Sequence, residues 1–151
     1  MSLSIKMAAL LMALLSGMAM AIQGTINSAF AKIIGLLEAT LVVHLTATIA
    51  VAALVLSLRW GNTNFAKIGE APWYLYLGGL LGVAITYLVV ASIPRVGVAV
   101  ATTAIIVGQV GMACLADHLG LFGMDKYPFT WYRLAGLVLL AAGARLMLNK
   151  I

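Results

Sequence analysis

Four stretches of this chain run without a charged residue for 20 positions or more: 7–31, 39–58, 71–94 and 96–116, of 25, 20, 24 and 21 residues. A hydrocarbon layer about 30 Å thick is crossed by about 20 helical residues. Within it the backbone must satisfy its own hydrogen bonds, so apolar runs of this length read as helices. A fifth stretch, 131–148, has 18 residues, with Arg133 near one end and Arg145 near the other. From those positions both guanidiniums can snorkel to the headgroups. The pattern predicts an all-α integral membrane protein of the inner or plasma membrane, with five transmembrane helices in a single domain over 1–151.

Composition closes the alternatives. Only 9% of the residues are charged and 64% are hydrophobic, with a mean hydropathy of +1.13. A water-soluble domain carries roughly 25% charged residues, so the charge needed to solvate a surface is missing. The net charge of +5 comes from basic residues scattered singly between apolar runs. That dispersal argues against a nucleic-acid partner. The first run begins after Lys6 like a secretory signal, but it continues to Ala31. Signal cores span roughly 7–15 residues, so the segment is read as a retained helix. Trp60, Trp73, Tyr74, Trp131 and Tyr132 all fall at expected span ends, where amphipathic rings favour the interface. Pro94 and Arg95 stand between spans three and four, leaving almost no loop and predicting a tight hairpin there.

Orientation is finely balanced. Lys6, Arg59, Lys67, Lys126 and Arg133 lie on the N-terminal side, and Lys32, Arg95, Arg145 and Lys150 on the other. With short loops the excess of Lys and Arg sets topology, and five against four gives almost no bias. Either folding of the 117–130 loop sets the orientation, or copies insert both ways and pair. Five helices are few to enclose a solute pocket and two gates, and many transporters use two halves of opposite topology with the site between them. The expected assembly is an antiparallel, dual-topology homodimer of ten helices.

Polar side chains inside the spans are costly unless they face protein or water. Gln23 and Asn27 share a face of span one, beside a small-residue face of Gly17, Ala21, Gly24 and Ser28. Span two carries Thr40, His44 and Thr48 four apart, span three Tyr87, and span four Thr102 and Gln109. Taking a rise of about 1.5 Å per residue, Gln23, His44, Tyr87 and Thr102 lie roughly 6–7 Å from the midplane, all on one side. The expected solute-binding residues are Gln23, Asn27, His44, Tyr87, Thr102 and Gln109; for each, an interhelical hydrogen bond is the plainer role. His44 is the one internal group that ordinarily titrates near neutrality. It either carries coupled protons or donates a hydrogen bond to solute or to a threonine. No Asp, Glu, Lys or Arg sits deep in the first four spans. A neutral, zwitterionic or amphiphilic solute therefore suits the interior better than a free cation. Glu38 and Asp117 stand at span ends, fit for interfacial solvation or a local ion pair, and Asp117-His118 reads as a cap or turn. Nucleophile–base pairs, metal-ligand clusters and phosphate loops are absent from the sequence, and neither an enzyme nor a cofactor is expected. Cys114 is single.

Two stretches carry a family resemblance. Gln23-Gly-Thr-Ile-Asn27 followed by Gly35-Leu-Leu-Glu38-Ala39 resembles the first half of YdcZ-type membrane proteins, a branch of the drug/metabolite transporter superfamily. Gly108-Gln109, Asp117-His118-Leu-Gly120-Leu-Phe122-Gly123 and Arg133-Leu-Ala-Gly136 resemble the second half, with Pro94 and Gly97 between. The resemblance covers essentially the whole chain. It implies five-helix subunits, in some members oppositely oriented pairs, related to ten-helix exporters. In plan the chain is also similar to small multidrug-resistance exporters, whose first helix holds an essential glutamate. Gln23 stands here instead, against cation/proton antiport. The expected function is transport of a small molecule by alternating access, with the lipid bilayer and an inverted copy of the chain as partners. A small dual-topology ion channel and a non-transporting accessory subunit are the alternatives.

Overall fold

The computed structural model describes residues 3–57 and 64–148, and every regular element there is helical. The main helices are α1 (Leu3–Ile34), α2 (Leu36–Ala52), α3 (Leu77–Val96), α4 (Val98–Leu119) and α5 (Trp131–Leu148). A π turn, Ala53–Ser57, prolongs α2, and two 3₁₀ segments, Phe65–Glu70 and Trp73–Tyr76, lead into α3. Four segments are long and apolar enough to cross a membrane: Ser4–Ile34, Leu36–Ser57, Trp73–Val96 and Val98–Leu119. The 18-residue α5 is not among these four. Leu58, Arg59, Trp60 and Lys150, which entered the expectations for span two, the aromatic girdle and the charge balance, lie outside the described residues.

The helices overrun the charge-free stretches. α1 continues past Lys6 and Lys32 to Ile34, because a flanking charge marks where hydrocarbon stops, not where helical hydrogen bonding stops. What stops it is Gly35. Its N–H still donates to the Ala31 carbonyl at 3.0 Å and its carbonyl already accepts from Ala39 N–H at 3.0 Å. Its own φ of 103° and ψ of 158° belong to glycine-only backbone space. Gly97 repeats the device at φ 83° and ψ 159°, with its carbonyl accepting from Ala101. The expected break at Pro94–Arg95 is therefore corrected. Both residues are inside α3, and the chain departs from helix only at Gly97.

Proline inside a helix leaves the carbonyl four residues back without its donor. For Pro94 that carbonyl is Val90, which is buried. Ser28 of α1, also buried, donates its hydroxyl to the Val90 oxygen at 3.1 Å. The neighbouring Gly24 permits this approach. A Cβ there would stand 3.0 Å from Val89 Cγ1 and 3.1 Å from Ile93 Cδ1. The small-residue face of α1 thus acts at Gly24 and Ser28, whereas Gly17 faces open space.

The chain divides into two compact units, Met1–Pro94 and Arg95–Ile151. Among the described residues of the first, Gly24, Asn27, Ser28, Ala39, Thr40, Val90 and Ile93 are buried. In the second, α4 and α5 pair antiparallel. The Asp117 carboxylate meets the Arg133 guanidinium at 3.1 Å at one end, and the Thr103 hydroxyl meets Met147 Sδ at 3.1 Å at the other. Between the helices, Gly120 adopts left-handed backbone at φ 64°, where any Cβ would strike Lys126. Tyr127 N–H donates to the Asp117 carbonyl at 2.9 Å, and Phe129 N–H donates to His118 Nδ1 at 3.2 Å. Thr130 caps α5 through its hydroxyl, 3.4 Å from Arg133 N. Asp117 and His118 serve as the ion pair and turn closure anticipated for them.

Candidate functional site

Threonine in an apolar helix can return its hydroxyl to the carbonyl four residues earlier. Thr40 and Thr48 on α2 both do so, donating to the Leu36 and His44 carbonyls at 2.8 Å. His44 follows the same geometry with its ring: Nδ1 lies 2.8 Å from the Thr40 carbonyl oxygen. A carbonyl can only accept, so Nδ1 carries the proton. In the neutral ring Nε2 is then left as an acceptor. The donor role anticipated for His44 is taken up by Thr40's backbone, and its remaining capacity is the opposite one.

Nε2 turns toward Gly82 of α3, where a Cβ would lie 3.8 Å away. The half-buried ring also borders a groove of about 460 Å³ lined by His44, Ala47, Thr48, Val51, Ala52, Val55, Leu56 and Phe65. Among the described residues, no fully buried side-chain nitrogen or oxygen lacks a partner. Nε2, which has no hydrogen-bond partner among them, therefore keeps some accessible surface. Below His44 the wall of the groove is apolar, and its lower part is the π turn. Such turns widen a helix locally and are frequent at functional sites.

The other expected site residues distribute unevenly. Asn27 is buried on α1 at 6% exposure, one residue from the Ser28–Val90 hydrogen bond, while Gln23, one turn earlier, is exposed. Tyr87 is exposed on α3, five residues beyond Gly82 and so turned about 140° from it. Thr102 is half-buried and Gln109 exposed on α4, in the second unit. Among the described residues, no side-chain hydrogen bond joins any two of these six. The groove's apolar wall was not anticipated, although its signal is present. Val51, Ala52 and Val55 continue the Thr40, His44, Thr48 stripe at helical spacing. A second concavity, about 560 Å³, lies around the start of α5 and is lined by Phe129, Thr130, Trp131, Tyr132 and Leu134. Trp131 and Tyr132 are almost fully exposed, as suits rings at a headgroup boundary.

Comparison with protein families adds what geometry alone does not. Residues 8–146 match the family described as "Putative inner membrane exporter, YdcZ". The chain belongs to this family. The match spans nearly the whole chain, through all five helices. It identifies a multi-pass protein of the inner membrane whose general class is membrane transport, which is not an enzyme class. No curated protein and no solved structure matches the chain.

Proposed function

We propose that this member of the YdcZ family moves a small neutral, zwitterionic or amphiphilic solute across the inner membrane by alternating access, as an antiparallel pair of five-helix subunits. The observation that carries this reading is the groove beside His44. It is an apolar recess with one polar end, set in a segment long and apolar enough to cross the bilayer. Solute sites combine a largely apolar lining with a few placed polar groups in this way. Deep carboxylates, which would hold a free cation, are missing from the same segments.

Pairing is supported by what one copy leaves uncovered. Gln23 and Gln109 are exposed on α1 and α4, both within apolar spans. A carboxamide facing hydrocarbon costs free energy that facing protein or water avoids. An inverted copy, with α5 as the fifth span of each subunit, would bring such groups against protein or a wet cavity. In this reading Gln23, Asn27, His44, Tyr87, Thr102 and Gln109 contact solute, and no cofactor or metal takes part.

The test is solute flux in liposomes reconstituted with purified full-length protein. Gln23→Ala, His44→Phe and Tyr87→Phe should each abolish flux, while crosslinking recovers the dimer unchanged. Flux equal to the parent in all three variants would remove the pocket assignment. Unsaturable ion conductance would replace the transporter with a channel, and absence of any flux without a second protein would make it an accessory subunit.

A further inference from the structure

The hydrogen-bonding capacity left open along the groove has one sign. His44 borders the groove, and its Nδ1–H is committed to the Thr40 carbonyl, so the capacity left on the neutral ring is the Nε2 lone pair, which faces Gly82. The Thr48 hydroxyl has given its hydrogen to the His44 carbonyl at 2.8 Å, so its oxygen, too, can only accept. The remaining lining residues are Ala47, Val51, Ala52, Val55, Leu56 and Phe65, which contribute no side-chain donor. The backbone amides of α2 are held within the helix. The groove thus presents two acceptors one helical turn apart at its polar end, and hydrocarbon beyond.

We infer that this groove seats an uncharged amphiphile whose head donates hydrogen bonds, such as an alcohol or a primary amide on an apolar tail, and rejects a carboxylate head. A carboxylate brings only acceptors, and would set its charge against two lone pairs in an apolar recess. A hydroxyl or an amide N–H supplies the missing hydrogen without bringing a charge. The glycine at position 82 belongs to the same design, because a larger side chain there would cover Nε2 from α3. The inference deepens the transport reading and rests on it for its biological meaning, but the binding chemistry can be measured separately.

Full-length protein in nanodiscs, labelled with ¹⁵N-histidine, is titrated with octan-1-ol, octanamide and octanoate. These probes share one tail and differ in the head. The His44 Nε2 resonance should move with the alcohol and the amide and stay in place with octanoate. The two donors should bind roughly three- to tenfold more tightly than octanoate, the range expected for one hydrogen bond. His44→Phe should remove that preference, and His44→Gln, which restores a carbonyl acceptor, should recover part of it. Gly82→Leu should reduce it with His44 intact. Equal binding of the three probes, or a preference that survives His44→Phe, overturns the inference. Donor selectivity in nanodiscs without flux in liposomes would sink the transport reading and leave the groove standing. Flux that persists without donor selectivity would do the reverse.

Discussion

Ser28 supplies to α3 the hydrogen bond that Pro94 takes away. The proline leaves the buried Val90 carbonyl without its helical donor, and the serine hydroxyl, 62 residues earlier in the chain, lies 3.1 Å from that oxygen. Interhelical hydrogen bonds within membranes are worth only about 0.6 kcal/mol on average. This one should be worth more, because its loss strands a buried carbonyl, which costs about 1–3 kcal/mol. The two positions are therefore coupled. Ser28→Ala should destabilise the parent by about 1–3 kcal/mol and the Pro94→Ala variant by well under half of that, since an alanine in place of the proline restores the missing N–H. Reversible unfolding in mixed micelles of the four proteins of the cycle measures this. Equal costs in both backgrounds would mean that the serine is not compensating the proline.

The two single-glycine joints should respond differently to the same substitution. At Gly97 a Cβ meets nothing within 4 Å, so Gly97→Ala should cost only the backbone conformation, about 1–3 kcal/mol. At Gly35 the Glu38 carboxylate folds over the space that a Cβ would occupy. Gly35→Ala should therefore cost the conformation and a collision together, and adding Glu38→Ala should return part of the loss. The same Glu38→Ala change should leave the cost at Gly97 untouched. Melting temperatures in detergent for these four variants, beside the parent and Glu38→Ala alone, decide it.

The balance of basic residues makes a prediction about insertion. In a background of Cys114→Ala, a single cysteine at the exposed Met124 should react with a membrane-impermeant maleimide from both faces of the inner membrane, about half of the protein from each. Two added lysines in the 120–130 segment should shift the labelling toward one face. Labelling from one face alone, in the unmodified charge background, would rule out oppositely inserted copies.

Much of the architecture was legible in the chain because lipid imposes so few solutions. An uncharged run of 20 residues has to become a helix, and α1 to α4 formed where those runs lie. The polar end of span two was legible as well, since Thr40, His44 and Thr48 recur at helical spacing among apolar neighbours. Charge could not mark the helix ends, because helical hydrogen bonding does not depend on whether a residue sits in hydrocarbon or headgroups. Gly35 and Gly97 mark them instead.

Tertiary structure decided the rest, and in each case the reason is a partner that the linear pattern does not reveal. Pro94 reads as a break until Ser28 is found beside Val90, and then it is an interior residue of α3. The Asp117 ion pair needed Arg133 brought round by the turn at Gly120. His44 could have offered its groove a donor or an acceptor, and composition is silent on which. One 2.8 Å contact with the Thr40 carbonyl assigns the proton to Nδ1, because a neutral imidazole has a single N–H and its other nitrogen must then be a lone pair.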